Sequence, residues 1–365
     1  MSSRPRLSVA GFFAGAGGLD LGFKHAGFEV PYANEYDKTI WETYEKNFPK
    51  THLDRRSILE ILPGDIPEVT GFIGGPPCQS WSEAGAARGI EDHRGQLFFT
   101  YMDLVAARRP AFFQAENVSG ILFDRHAGAF RKILKGFAKL GYNVSYGLFR
   151  ASNFGVPQDR DRVFIIGYRS DLEIMFKPPK SNDVVPTLKD AIWDLRNSAL
   201  PANASETNGS KLRIPNHEYM TGGFSSIFMS RNRVRSWNEP SFTIQAGARH
   251  APLHPQAPKM IHAGKDKFEF KQGSEKMYRR LSVREAARIQ TFPDDFIFHY
   301  SKISDGYKMI GNAVPVQLAR VVGEQIKKDL FEKEIRNRRK FEVGDVMTFE
   351  EVLSQNVPLP ISVSA

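Results

Sequence analysis

The sequence predicts an α/β protein with a doubly wound, mostly parallel sheet and a smaller irregular module beside it. Three observations carry this expectation. Strand and helix patterns alternate through the first half, a glycine-rich turn joins the first strand to the first helix, and the alternation stops after Pro178. In order, Leu7 to Phe12 reads as a buried strand, and Leu19 to Ala26 as a helix stopped by Gly27 in the position of a C-cap. Phe28 to Ala33 is a second strand, and Asp37 to Asn47 a helix with Ile40, Trp41, Tyr44 and Phe48 on one side. Gly71 to Gly74 ends another strand. Leu97, Phe98, Tyr101, Leu104 and Val105 form a helical stripe. Ala111 to Ala115 is strand, Phe130 to Leu140 is helix with Phe130, Ile133, Leu134, Phe137 and Leu140 inward, and Val163 to Tyr168 is strand. Such alternation implies a parallel sheet covered on both faces, and sheets of that kind bind ligands beyond the carboxyl ends of their strands.

Boundaries fall near residues 180, 280 and 333. Ser181 to Pro215 is rich in Asn, Ser, Ala and Pro, and residues from about 216 to 275 show no helical period. Helix returns at Ser282-Val283-Arg284-Glu285, which has the form of a capping box. A last long helix begins near Val314, with Pro315 in its tolerated first turn. The tail from 334 to 365 carries no assignable signal.

The 365 residues are 41% hydrophobic and 25% charged, ordinary for a globular protein, with a formal net charge of +9. The excess is local: Ser225 to Arg280 holds 11 Lys and Arg against 4 Asp and Glu. A nucleic-acid surface and a solvated basic face explain that stretch equally well. The single cysteine excludes an intrachain disulfide and fits a reducing compartment. With no signal peptide and no membrane-length apolar run, the expected location is cytoplasmic. No metal-ligand cluster is visible.

Four segments carry candidate chemistry. Phe13-Ala14-Gly15-Ala16-Gly17-Gly18 follows a strand and opens a helix, so a ligand can approach the backbone closely and meet free N–H groups. Glu35, 20 residues past Gly15, sits where an acid can take two ribose hydroxyls. A ligand-free tight turn is the alternative, and the spacing is not the G-x-G-x-x-G of dinucleotide sites. Gly74-Gly75-Pro76-Pro77-Cys78-Gln79-Ser80 places the lone cysteine just after a strand. A lone cysteine is more often a small buried hydrophobe than a nucleophile. Here two prolines stiffen the preceding turn, and a strand-end thiol can be ionised by nearby dipoles or cations. Glu116-Asn117-Val118 ends the next strand, so a parallel sheet brings Glu116 to the same edge as Cys78; alone, Glu116 would read as a surface acid. Gln158-Asp159-Arg160-Asp161-Arg162 opens another strand, and offers one guanidinium to a substrate and one as its brace, or two solvated arginines.

Together with Arg280-Leu-Ser-Val-Arg-Glu-Ala-Ala-Arg-Ile-Gln290 and Gly311-Asn-Ala-Val-Pro315, these segments resemble the ordered motif series of DNA cytosine-5 methyltransferases over roughly Ser8 to Lys328. The resemblance implies a Rossmann-like fold dependent on S-adenosyl-L-methionine and acting on double-stranded DNA as a monomer. It implies Cys78 as nucleophile, Glu116 as partner of cytosine N3, and Arg160 and Arg162 beside a flipped base. It also implies cofactor contacts from Phe13, Gly15, Gly17, Gly18, Leu19, Glu35, Pro76, Asn312 and Val314. Residues 1–180 would bind cofactor and catalyse, 181–280 would recognise the target, and 281–333 would complete the catalytic part. One departure stands out. The family's Asp-Ile pair after the third strand, which holds the adenine amino group, is matched here by Ser57 and Ile58, with Asp54 three residues earlier.

Met229 to Pro240, Ser241 to Gln245 and Leu253 to Pro258 resemble the recognition segment of GGCC-specific bacterial methyltransferases, which implies a restriction-modification setting with a cognate endonuclease. Arg231, Arg233, Arg235 and Arg249 suit guanine edges in a major groove, or serve as phosphate clamps. A tRNA methyltransferase, a non-catalytic DNA-binding relative and a nicotinamide oxidoreductase are the rival readings. The guanine-reading segment, the intact Cys78 and Glu116, and the glycine spacing count against them in turn.

Overall fold

The alternation read from the sequence does build one large sheet. The computed structural model describes residues 7–77, 93–331, 344 and 346–354. In chain order the elements are β1 (Ser8–Phe12), α1 (Gly18–His25), β2 (Glu29–Asn34), α2 (Trp41–Asn47), β3 (His52–Asp54), β4 (Gly71–Gly74), α3 (His93–Arg108), β5 (Phe112–Val118), α4 (Ala127–Lys139), β6 (Tyr142–Arg150) and β7 (Asp161–Arg169). They continue with α5 (Leu188–Ile192), β8 (Leu200–Pro201), β9 (Glu218–Tyr219), β10 (Ile261–Gly264), β11 (Lys267–Glu269), α6 (Val283–Ile289), α7 (Ile303–Asn312), α8 (Val316–Phe331), β12 (Val346–Thr348) and α9 (Phe349–Ser354).

The large sheet has the order β12-β6-β7-β5-β4-β1-β2-β3. Its strands run parallel except β7, which is antiparallel to both neighbours, with Glu116 opposite Phe164 and Val118 opposite Arg162. This one reversal matters for the site. It brings the start of β7 to the edge where β1, β4 and β5 end, and ligands gather at that edge.

The helices cover both faces, as their apolar stripes demand. On α4, Phe130, Ile133, Leu134 and Phe137 are buried, and the Phe137 ring stacks on Phe113 of β5 at 3.9 Å between centroids. α1 starts after Gly17 in the left-handed region (φ 88°) and ends with Lys24 and His25 in its last turn, where cations favour the helix dipole. The predicted capping box starts α6: the Glu285 N–H donates to Ser282 Oγ at 3.0 Å, and the Ser282 N–H donates to the Glu285 carboxylate at 2.8 Å. Part of the tail that carried no signal has a place. β12 extends the sheet beyond β6, and Phe349 packs among Phe149 and Phe176.

Residues beyond Pro178 are mostly irregular, as expected. Phe228, Val234, Leu253, Ala257, Met260 and Tyr278 form a small core of their own. Between Val234 and Leu253 the chain leaves that core and reaches the large sheet's edge. Ser241 N–H donates to Pro157 O, Asp159 N–H donates to Ser241 O, both at 2.9 Å, and Ile244 N–H donates to the Gln158 side chain. Among the described residues no helix is long and apolar enough to cross a membrane, and no cluster of side chains suits a metal ion.

Candidate active site

A cavity of about 420 Å³ opens at the carboxyl ends of β1, β4 and β5. One wall is the glycine-rich turn. Phe13 and Gly15 both adopt positive φ (52° and 55°), so the chain folds back on itself there. Gly15 lines the cavity, and a Cβ added to it would meet nothing within 4 Å. That surface is open for a ligand to lie against the backbone. Gly17 and Gly18 do not line it: their missing side chains leave room for Phe48 and for the Val314 carbonyl. Their contribution is to let α1 pack closely, while Leu19 does reach the wall.

Glu35 forms the next wall. Its carboxylate accepts from Gly15 N–H at 2.8 Å and Asp37 N–H at 2.7 Å, so each oxygen is fixed and keeps lone pairs for a ligand. Burial raises its pKa, and those two N–H groups oppose the rise. Asn312, Ala313 and Val314, from the end of α7 and the turn after it, close the opposite side. Glu35, the open Gly15 and this shape suit a ribose-bearing cofactor. Ser57 and Ile58 are not on the wall: Ser57 caps a short helical turn at residues 58–60, and Ile58 is buried in the core. Asp54 is engaged by Arg56 and the Tyr32 hydroxyl.

Pro76 and Pro77 line the same cavity beside Glu116. Cys78, which follows them, lies outside the described residues. β4 and β5 pair in parallel, Gly74 opposite Ala115, so the turn after β4 sits against the end of β5. A Cβ on Gly75 would stand 3.1 Å from Glu116 Oε2. Asn117 pins this turn by donating to Pro76 O at 3.1 Å, a role its place beside Glu116 did not advertise.

Glu116 pairs with Arg162 across the β5–β7 reversal, at 2.7 Å. Burial pushes its pKa up, and Arg162 and Arg160 only partly offset that push. The protonated form of the carboxyl is therefore favoured relative to an ordinary glutamate. Arg160 differs from Arg162. It is buried, and its guanidinium donates to the carbonyls of Ile244, Gly311 and Ala313 at 2.8–3.1 Å. Those bonds join the start of β7, the recognition segment and the turn after α7, so Arg160 is a brace with no reach to a substrate base. Gln158 and Gln290 extend the brace, joined side chain to side chain at 3.0 Å; neither had a role in the sequence reading.

The four recognition arginines divide. Arg231 and Arg249 are exposed, and among the described residues neither makes a hydrogen bond or ion pair. Arg231 lines a hollow of about 300 Å³ with Asn232, Thr243, Gln245 and His250. Arg233 is buried, donates to the carbonyls of Phe228 and Ile227, and lies over the Phe228 ring; burial lowers its pKa to about 10. Its donors are spent inside the module. Arg235 is held by Asp159 at 2.8 Å and Glu239 at 3.1 Å.

Comparison with known proteins agrees with this geometry. Residues 7–328 match the family model described as C-5 cytosine-specific DNA methylase. The type II methyltransferase M.MthTI of Methanothermobacter thermautotrophicus is 56% identical, over 89% of this chain and 98% of its own. M.FnuDI of Fusobacterium nucleatum is 53% identical over 90% and 96%. Among solved structures, a prophage-encoded DNA modification methyltransferase of E. coli superimposes with a TM-score of 0.68 at 26% identity, covering 89% of this chain and 100% of that one.

Proposed function

This chain belongs to the C-5 cytosine-specific DNA methylase family as an S-adenosylmethionine-dependent methyltransferase of restriction-modification type, and we propose that it methylates cytosine in GGCC through a covalent adduct on Cys78. The observation that carries the chemistry is Glu116. It is a largely buried carboxyl with a raised pKa, paired with Arg162, beside the turn that leads to Cys78, in the same cavity as Glu35.

Carbon 5 of cytosine is not nucleophilic and is stacked inside duplex DNA, so the base must first leave the helix. The Cys78 thiolate then forms a bond to C6 while Glu116 delivers its proton to N3, leaving an enamine at C5. The bound cofactor supplies an electrophilic methyl group. That methyl would pass to C5 as its bond to the sulfonium sulfur breaks, with S-adenosylhomocysteine as the leaving group; a base then removes the C5 proton, the C6–S bond breaks, and N3 returns its proton to Glu116. Arg162 holds the Glu116 carboxyl in place, and Arg160 holds the strand start that carries Arg162. Phe13, Gly15, Leu19, Glu35, Pro76, Asn312 and Val314 would hold the cofactor.

Residues 181–280 are the proposed recognition module, with duplex DNA between it and the large sheet's edge. A restriction endonuclease acting on the same site, a monomeric state and a cytoplasmic location belong to the same reading. Exposed Arg231 and Arg249 are the proposed base or phosphate contacts, whereas Arg233 and Arg235 shape the module. Single replacement of Arg231 should relax site preference on a randomised-site library, at about 1–3 kcal/mol per lost bidentate guanine contact. Replacement of a phosphate clamp should weaken all sites alike and flatten the salt dependence. Arg233→Ala should lower thermal stability instead. If wild type does not mark GGCC, the specificity is wrong; if neither Arg231 nor Arg249 alters the preferred site, arginine readout is.

A further inference from the structure

Two acids on the cavity wall are left unused by the chemistry above: Asp37, which Lys308 pairs, and Asp20, which has no cationic partner among the described residues. Asp20 sits in the first turn of α1, is 1% exposed, and borders the cavity beside Gly11 and Leu19. Its Oδ1 has no hydrogen-bond partner among the described residues. No lysine, arginine or histidine among them pairs with it. A carboxyl oxygen this deep without a partner costs free energy unless something else satisfies it. Gly11 on β1 shows that the space is reserved for it, because a Cβ there would overlap Asp20 Oδ1.

We propose that Asp20 accepts the α-ammonium group of the cofactor's amino-acid arm, an assignment that rests on this cavity being the S-adenosylmethionine site. The sulfonium bears three arms. Glu35 suits the ribose of one, and the methyl must face Glu116 and the Pro76-Pro77 turn. The third arm, with the ligand's only ammonium, is left the wall formed by Gly11, Leu19 and Asp20. A buried carboxylate with one oxygen left without a partner is chemically matched to a primary ammonium.

The groups that face Asp20 are few. Glu35 just after β2 raises its pKa, the Tyr44 hydroxyl of α2, without a hydrogen-bond partner among the described residues, is within electrostatic reach, and β1 presents Gly11. Burial and Glu35 push Asp20 up to about 7, with its own backbone N–H opposing. Below that value the free protein holds a proton on Asp20, and the incoming ammonium must displace it. Affinity for an ammonium-bearing ligand therefore falls as pH drops below about 7.

The test is calorimetric titration of the full chain with S-adenosylhomocysteine and with its des-amino analogue, between pH 6 and 7.5. Wild type should prefer S-adenosylhomocysteine by about tenfold to a hundredfold at pH 7.5, the strength of a charged hydrogen bond, and the preference should shrink toward pH 6. Glu35 titrates with both ligands and cancels in the ratio. Asp20→Asn should bind the two ligands alike. Equal losses for both ligands in Asp20→Asn, or no loss, would overturn the assignment. Should that variant not fold, a wild-type preference that is absent or independent of pH overturns it equally. If wild type binds neither ligand, the cavity reading itself has failed.

Discussion

Cys78→Ser is expected to abolish methyl transfer, a loss on the order of 10⁴-fold or more, the scale on which removal of an enzymatic nucleophile is felt. The serine hydroxyl is almost wholly protonated at neutral pH, whereas a thiol near cations is partly thiolate and intrinsically more nucleophilic. Two cations stand at this edge of the sheet, Arg162 paired with Glu116 and Arg160 behind it. Cofactor binding should persist in the variant, because Gly15, Glu35 and Asn312, which line the cavity, are unchanged by it. The decisive reagent is duplex DNA with 5-fluorocytosine at the target. Fluorine cannot leave as the C5 proton does, so the C6–S bond persists and a denaturing gel shows a protein–DNA adduct. Wild type should give that adduct and Cys78→Ser should not. An adduct of equal yield on both would remove Cys78 from the mechanism.

The parts of this site legible in the sequence are those set by local rules. The turn from Phe13 to Gly18, the fixed distance to Glu35 and the Ser282 capping box each depend on a few adjacent residues, and each forms as read. Parallel neighbours ending at one edge put Glu116 on the same edge as Cys78; β4 and β5 do pair in parallel, which sets Glu116 beside the Pro76-Pro77 turn, while Cys78 itself lies outside the described residues. What local reading missed depends on distant partners. Nothing near Asp161 announces that β7 runs antiparallel, since its direction is set by pairing with β5 and β6 on both sides. The same holds for Arg160, whose acceptors lie 84 to 153 residues away. Arg233 has the type and charge of a base reader, and its confinement follows from the fold of residues 227–228 beneath it. α7 went unread because Gly306 and Gly311 interrupt its composition. Gly306 stands against Tyr300 and Gly311 against the Gln245-Ala246 backbone, so these glycines serve contact between segments rather than chain breaking. Asp20 looks like an ordinary first-turn acid, and only the packing of α1 over β1 removes it from water.

Glu116→Gln should slow the chemical step by roughly two to four decades, the usual range for a general acid. The amide is nearly isosteric and its oxygen can still accept from Arg162, so the 2.7 Å contact at the end of β5 need not be lost. What is lost is the proton for cytosine N3. Without it, attack at C6 places negative charge on the ring with only neutral hydrogen bonding to disperse it. The variant also removes the anion that faces the buried Arg160 and the largely buried Arg162. That should cost some stability but little DNA affinity, because neither guanidinium faces solvent enough to grip phosphate. Single-turnover methylation with saturating DNA and cofactor separates these effects, since it reads chemistry alone. The pH profile adds a second signature. Burial raises the Glu116 pKa, so the acid form persists above the ordinary carboxylate range and is lost as pH rises through the raised value. Wild-type single-turnover rates should therefore carry a descending limb that Glu116→Gln lacks, while the ascending limb of the Cys78 thiol remains in both. A normal rate in Glu116→Gln, or a descending limb retained in it, would mean that the proton on N3 comes from elsewhere.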